Sequence, residues 1–233
     1  MSSIDLLLLH EHAEKLEPNM RKKLAEAWLN AALDEHASIA AFSRFSLHLM
    51  ALAAPPQLLG NAHQAALDEL EHAKLCFAIY EVYAGEPAAP SPMNLPQNLL
   101  GPLTPEAIVG AAVAEGCVGE TIAAHEAQQL AELCEPIPLK TVLKQIAIDE
   151  QKHAELAWKF IAWALKRFGS SVQKSIDEAF IATCVHDDTP YFTTDEDAIY
   201  LAHGIAPPKL KSELRTSAID EVIRPLRHAL IVK

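Results

Sequence analysis

Apolar residues recur every three or four positions along most of the chain, and prolines and glycines interrupt this pattern at a few places. The spacing is that of amphipathic α-helices, each of which buries one apolar face. The pattern predicts a short leading helix before Pro18 and two helical segments near the C-terminus, over residues 171–184 and 207–231. Between these elements it predicts four long helices, over about residues 19–52, 57–83, 105–134 and 139–168.

The ends of the long helices carry residues that helix ends favour. Asn19 is the predicted N-cap of the first long helix, and Thr104 followed by Pro105 predicts the start of the third. Gly85 and Gly169 predict the C-terminal ends of the second and the fourth.

The connection between the second and third long helices, residues 85–104, contains five prolines and no helical period. It is far longer than a tight hairpin needs and suits a crossover between opposite ends of a bundle. The predicted fold is all-α: a four-helix bundle with its short N-terminal helix over residues 1–168, and a C-terminal helical extension over 169–233 that packs on the bundle. Within the extension, residues 185–197 predict an acidic loop, and Pro225 predicts the start of a helix or a kink in one.

One segment of the chain occurs twice, with an offset of 81 residues. The two copies are residues 66–77, ALDELEHAKLCF, and residues 147–158, AIDEQKHAELAW. In each copy a glutamate and a histidine are three positions apart, so that they project from the same face of a helix. A carboxylate and an imidazole that point together into a helical core indicate metal binding, and the second copy makes a chance match improbable.

Two more glutamates lie on apolar faces of the predicted helices. Glu35 is in the middle of the apolar stripe of the first long helix. On the third, Glu120 is flanked by small apolar residues, whereas the stripe that contains Glu115 meets another acid. Glu120 is therefore preferred and Glu115 stays the alternative. Gly116 and Gly119 lower helix propensity, which favours a close approach of a neighbouring helix at this point.

Buried carboxylates cost several kcal/mol each unless a positive charge compensates them. Two divalent cations would balance four carboxylates and leave two imidazoles as neutral nitrogen donors. Such mixed oxygen and nitrogen donors suit iron, with manganese as the alternative, better than zinc. The predicted metal ligands are Glu35, Glu69, His72, Glu120, Glu150 and His153.

Three further residues are candidates for supporting positions around the ligands. Asp68 and Asp149 each precede a ligand glutamate and lie four positions before a histidine. Either could accept the free imidazole N–H, within its own helix or across to the other repeat, and so set the tautomer; the alternative is a surface acid. Tyr80 lies on the ligand stripe of the second long helix, where it would hydrogen-bond near the site or pack in the core.

The order Glu, Glu-x-x-His, Glu, Glu-x-x-His on four helices resembles the ferritin-like di-iron carboxylate superfamily, over roughly residues 20–168. The resemblance implies a ferritin-like four-helix bundle with a long crossover between helices 2 and 3. It also implies that the two repeat glutamates, Glu69 and Glu150, bridge the metals. Each histidine would complete one site with one other glutamate: Glu35 with His72, and Glu120 with His153. No C-x-x-C pair is present for a rubredoxin-like centre, and more than sixty residues follow the fourth long helix, unlike a compact storage ferritin.

The resemblance implies a non-haem di-iron oxidoreductase that activates dioxygen or peroxide and oxidises an unidentified small molecule. An external electron donor is expected, since the chain lacks a C-x-x-C centre, and a homodimer is compatible with this picture. The alternatives are an iron- or peroxide-handling protein without an organic substrate, and a structural bundle that has kept its ligands.

Composition narrows the expected partners and location. The net charge is −12, from 31 acidic and 19 basic residues, and no basic cluster predicts nucleic-acid binding. No uninterrupted apolar run of about 18 residues predicts a membrane span. The four cysteines (Cys76, Cys117, Cys134 and Cys184) form no C-x-x-C pair and are expected to be reduced, which favours a cytoplasmic protein.

Overall fold

The computed structural model describes residues 6–186 and 189–231, and the fold is all-α, as predicted. In chain order, its α-helices are α1 (Leu6–Ala13), α2 (Pro18–Ala51), α3 (Pro56–Ala84), α4 (Pro105–Ala112), α5 (Thr121–Leu133), α6 (Ile137–Phe168), α7 (Ser170–Thr183), α8 (Asp197–Ala202), α9 (Pro208–Ala218) and α10 (Arg224–Ile231). Two π-helical segments interrupt this order, the first (Val113–Glu120) between α4 and α5 and the second (Ile219–Ile223) between α9 and α10.

The four predicted long helices are present, and they pack in two extensive pairs, α2 with α3 and α5 with α6. Thr104 is the N-cap of α4, where its hydroxyl accepts the backbone N–H of Ala107 at 3.3 Å, and Gly85 ends α3 with a φ of 79°. The prediction of Asn19 as an N-cap is wrong by two residues. Glu17 takes that position and Pro18 begins α2, because the first helical residue needs no N–H.

The first π segment makes α4 and α5 one continuous helix and brings it against α6. A Cβ added at Gly116 would lie only 2.4 Å from the Cβ of Ala157 on α6, so this position requires glycine. Gly119 is different, because a Cβ there would meet only the Ala114 carbonyl oxygen at 3.5 Å. The predicted close approach of a helix is confirmed at Gly116 alone.

Two apolar cores fill the bundle, one on each side of a polar layer. The first core contains Phe42 on α2 and Phe160 on α6, and the second contains Trp28 on α2 and Leu139 on α6. Along each of the four long helices, residues of one core are followed by residues of the other. The predicted metal ligands lie in the interval between them on every helix.

The helices that follow α6 share these cores. Ile176 and Phe180 of α7 and Ile219 of the second π segment are fully buried in the first core. Pro225 lies inside a continuous helix directly after that π segment. The wider π turn accommodates a residue that lacks an N–H and would clash with the carbonyl of the preceding α-helical turn.

The short helix α8 follows the predicted acidic loop and was not predicted. Its six residues are too few to show an apolar period. Part of that loop, residues 187–188, lies outside the described residues.

One helix in the described part of the chain, Pro105–Leu133, is long and apolar enough to cross a membrane by length and composition alone. Within the protein this helix has partners on its apolar side. Val109, Val113 and Cys117 are fully buried in the first core, and the helix packs along α6.

Replacement of Gly116 by alanine should lower the free energy of unfolding by about 1–3 kcal/mol, because the new methyl group overlaps the Ala157 side chain. Urea unfolding followed by circular dichroism measures the change. Gly110→Ala, in the same helix with no atom within 4 Å of the added Cβ, is the matched control and should gain up to about 1 kcal/mol from helix propensity. Equal effects of the two substitutions would contradict the close approach.

Candidate metal centre

Six glutamate and histidine side chains from four helices converge in the polar layer between the two cores. They form two overlapping groups that could hold metal ions, and within each group the ligand atoms lie within 4.8 Å of one another. The first group is Glu35, Glu69, His72 and Glu150, and the second is Glu69, Glu120, Glu150 and His153. The two repeat glutamates belong to both groups, whereas each histidine belongs to one.

The Nδ1 atom of His72 faces the carboxylates of the first group. It lies 3.4 Å from Glu150 Oε1, 3.5 Å from Glu35 Oε2 and 3.8 Å from Glu69 Oε2. A single imidazole nitrogen can donate at most one proton, so it cannot satisfy three carboxylates by itself. A cation between these atoms would contact all of them.

The Nδ1 atom of His153 faces the carboxylates of the second group in the same way. Its Nδ1 lies 3.0 Å from Glu69 Oε1, 3.2 Å from Glu150 Oε2 and 4.0 Å from Glu120 Oε2. The Phe42 ring packs edge-on against this imidazole, with 4.9 Å between ring centroids. The aromatic contact restricts rotation of the histidine ring and so helps to aim Nδ1 at the carboxylates.

The opposite nitrogen of each histidine contacts the aspartate of the other repeat. His72 Nε2 is 3.3 Å from Asp149 Oδ2, and His153 Nε2 is 3.4 Å from Asp68 Oδ2. Of the two arrangements that the sequence left open, the structure therefore has the one across the repeats. An Nε2–H that donates to an aspartate leaves the Nδ1 lone pair free to bind a metal.

Asp149 is held as an anion by several donors. Its carboxylate accepts hydrogen bonds from Gln145 Nε2 at 2.7 Å and from Lys152 Nζ at 2.8 Å, in addition to the contact with His72. Burial raises the pKa of Asp149, but these donors outweigh it and hold the pKa below its usual value. The charged aspartate favours the Nε2–H tautomer of His72.

Some of the potential metal-ligand atoms of the cluster are buried without any hydrogen-bond partner. Both carboxylate oxygens of Glu69 and the Nδ1 of His72 are in this condition, and Glu69 is only 1 % exposed. An unpaired buried polar group costs about 1–3 kcal/mol, and more when it is charged. The orphaned atoms are those that a cation in the centre of the two groups would bind. The residues present therefore fit a metal site.

The carboxylates outside the overlap hold protons strongly when no cation is present. Burial raises the pKa of Glu35 to about 8, and the nearby Glu69 and Glu150 carboxylates add to this rise although His72 opposes it. Burial and the same carboxylates raise the pKa of Glu120 well above its usual value. When no cation is present, protons neutralise the carboxylates of Glu35 and Glu120. Metal binding should therefore release these protons.

Two other predicted residues lie outside the groups. Glu115 is half-exposed and forms an ion pair with Arg44, whereas Glu120 is the glutamate of this helix that joins the cluster.

Tyr80 is half-buried against the second core and borders a surface cavity. It lies eight residues from His72 on the same helix, roughly 12 Å along the axis. Of the two alternatives for Tyr80, a hydrogen bond near the site or packing in the core, its position therefore matches the second.

Sequence reasoning missed Arg44, which borders an apolar pocket beside the cluster. A signal was present, since Arg44 is the only lysine or arginine between Lys23 and Lys74. A single cation in fifty residues of mostly apolar helix indicates a specific partner, and that partner is Glu115.

Comparison of the chain with protein-family models, curated proteins and solved structures found no match. Fold and site therefore define the class of protein by themselves. It is an all-helical bundle with a buried cluster of glutamates and histidines that could hold metal ions.

The metal-free protein should lose stability as the pH rises from about 5 to 8. The folded state holds a proton on Glu35 up to a pKa of about 8, whereas the unfolded state releases it near 4.5. The resulting stabilisation is complete below pH 4.5 and disappears as the pH passes 8. The melting temperature should fall by roughly 3–5 °C per pH unit for each proton retained.

Calorimetry of the metal-free and metal-loaded protein at pH 5.5, 7.0 and 8.5 tests this expectation. The loaded protein is the control and should not show the decline, because its carboxylates are compensated by metal. A metal-free protein with a constant or rising melting temperature over this range would be inconsistent with proton-compensated carboxylates.

Substitutions of the two glutamates on the third long helix separate their roles. Glu120→Gln should lower the amount of iron that the protein binds, because it removes a carboxylate of the second group. Glu115→Gln is the matched control and should bind as much iron as the wild type, since Glu115 contacts Arg44 instead. Elemental analysis after anaerobic loading and gel filtration measures both. Loss of iron from the Glu115 variant alone would reverse the assignment.

Proposed function

We propose that this protein is a non-haem di-iron oxidoreductase, which activates dioxygen or peroxide at a carboxylate-bridged dinuclear site and oxidises a small-molecule substrate. The observation that carries the proposal is the overlap of the two groups at Glu69 and Glu150. Two carboxylates shared by adjacent groups could hold a pair of metal ions close together. Bound iron would supply the electrons for the reduction of dioxygen or peroxide.

The proposed ligand assignment follows the two groups. Glu69 and Glu150 would be shared by the two metal ions, His72 with Glu35 would complete one site, and His153 with Glu120 would complete the other. Four carboxylates would balance the charge of two divalent ions, and the polar layer between the two apolar cores would then be neutral. The donor set of oxygen and nitrogen atoms suits iron, and manganese would fit the same ligands.

The proposed fold is the ferritin-like bundle. The order of the ligands along α2, α3, the helix Pro105–Leu133 and α6 supports it. Residues 85–104 form no regular helix and are long enough to serve as the crossover between the second and third long helices. In such a bundle the two repeats, on α3 and α6, face each other across the metal centre.

A small apolar pocket supports dioxygen or peroxide as the oxidant. It reaches Glu120 and His153 and is walled mainly by apolar side chains such as Phe42 and Leu156. Its volume of about 40 Å³ exceeds the roughly 10–15 Å³ that one water molecule needs, but excludes a large organic molecule. Arg44 and Glu115 form an ion pair beside this pocket, so their charges compensate each other.

The protein's own residues keep the site dry and orient its ligands. The two cores exclude water from both sides of the polar layer. Asp149 and Asp68 fix the orientation of the two imidazoles by accepting from Nε2. The carboxyl group of Glu35 holds a proton at neutral pH when no cation is present, and it would release that proton when a metal ion binds.

Electrons for repeated turnover must come from outside the chain. Cys76 and Cys117 are fully buried, and burial raises the pKa of both thiols well above the usual value. Inert, protonated thiols cannot carry electrons to the site. An external donor is part of the proposal, and the acidic chain with its free cysteines favours a cytoplasmic location.

Addition of dioxygen to anaerobically iron-loaded protein should oxidise both ferrous ions within seconds to minutes, with a rise in near-ultraviolet absorption. Without a reductant, one oxidation event per chain is expected. Glu150→Ala should abolish the fast phase because Glu150 belongs to both groups. Glu155→Ala, one turn and a half further along α6 in an exposed ion pair, is the control and should react normally. Stopped-flow absorbance measures the rate, and a ferrous form that is stable in air for hours would refute the proposal.

A further inference from the structure

A second and much larger cavity opens beside the metal centre. Its volume is about 520 Å³, compared with about 40 Å³ for the small apolar pocket. Half-buried Glu35 and buried Glu150 and Cys76 line it together with exposed Asn30 and Asp34, so the cavity extends from the ligands to the surface. Cavities of about 300–1,000 Å³ are the size that binds organic ligands.

One wall of this cavity comes from the segment that follows α7. We call residues 196–211 the C-terminal strap; it includes α8 and the start of α9. Gly204, Ile205, Ala206 and Lys211 of the strap line the cavity. The bundle alone would therefore leave this side of the cavity open.

The strap is attached to the bundle by several specific contacts. The Tyr83 hydroxyl hydrogen-bonds to His203 Nδ1 at 2.7 Å, and Trp28 Nε1 donates to the His203 carbonyl at 3.3 Å. The backbone N–H of Glu135 donates to the Ala202 carbonyl at 2.8 Å.

Glycine at position 204 allows this attachment. Its φ is +77°, and an added Cβ would lie 3.1 Å from Leu143 and 3.3 Å from Trp28. The strap is therefore a packed wall of the cavity and not a loosely attached tail.

The lining of the cavity is mainly apolar and carries little charge that could bind an anion. Its apolar walls include Trp28, Ile122, Leu130, Leu143, Ile146 and Ile205. Among the described residues that line the cavity, Lys211 is the one cation; its Nζ lies 4.0 Å from Glu126 Oε1, while Asp34 adds a further acid. Acids thus outnumber bases here, which disfavours an anionic ligand and leaves apolar contact as the main source of affinity.

We propose that this cavity binds an uncharged, largely apolar organic substrate between the bundle and the C-terminal strap, with one end of the molecule at Glu35 and Glu150. The inference rests on the proposed function, since it supplies the molecule that the metal centre would oxidise. It also assigns a role to the segment after α7. The strap completes the substrate site, and the small pocket is left for the oxidant.

Binding of N-phenyl-1-naphthylamine, a neutral apolar fluorophore, to the full-length metal-loaded protein tests the proposal. Its fluorescence should increase with a stoichiometry of one per chain. Ala27→Phe, which fills the cavity from α2, should weaken binding at least tenfold. Ala37→Phe, at an exposed position of the same helix, is the matched control and should change it less than twofold. Ile205→Ser should weaken binding from the strap side.

A second measurement locates the probe and keeps the two proposals separable. With manganese bound, proton resonances of the bound probe should broaden by paramagnetic relaxation, whereas zinc-loaded protein should leave them sharp. No binding by the wild type, or equal binding by the Ala27 and Ala37 variants, would overturn the cavity assignment even if two metal ions remain bound. Failure of the proposed function would instead appear as absent metal or oxygen reactivity with probe binding intact.

Discussion

The structure depends on one electrostatic constraint: four carboxylates lie in a layer between two apolar cores. Removal of a carboxylate from water costs several kcal/mol even after relaxation, and four neighbouring ones also repel each other. Glu69, with both oxygens unpaired and only 1 % exposed, shows the constraint most directly. Protons on Glu35 and Glu120 relieve part of it, and two divalent cations would relieve all of it.

The repeated segment explains how the fold positions this layer. Each histidine turns Nδ1 toward the carboxylates and Nε2 toward the aspartate of the other repeat, so α3 and α6 are connected twice through the site. The shared direction of each Glu-His pair could be predicted from the sequence, because a helical period with Glu and His three apart determines which residues share a face. The long helices and the convergence of the six side chains followed from the same periodicity.

Other features depend on geometry that an α-helical period does not contain. In the first π segment the backbone hydrogen bonds span five residues, so the apolar stripe of the helix changes register between Glu115 and Glu120. A sequence analysis that assumes 100° per residue throughout therefore finds two candidate stripes, one for each glutamate. The choice of Asp149 as partner for His72 depends on a tertiary contact 77 residues apart. The strap was missed because α8 has only six residues and its contacts, such as His203 with Tyr83, are long-range.

Each of the two cavities is bounded by a different pair of the candidate ligands, and under the proposal they would give the centre separate routes for a small oxidant and a larger apolar molecule. These roles of the two cavities require a centre that holds two metal ions. Anomalous diffraction from crystals of the iron-loaded protein, at the iron absorption edge, tests that claim most directly. We expect two peaks about 3.5–4 Å apart, both within bonding distance of Glu69 and Glu150. A single peak, or peaks only at surface carboxylates with the polar layer empty, would contradict the account.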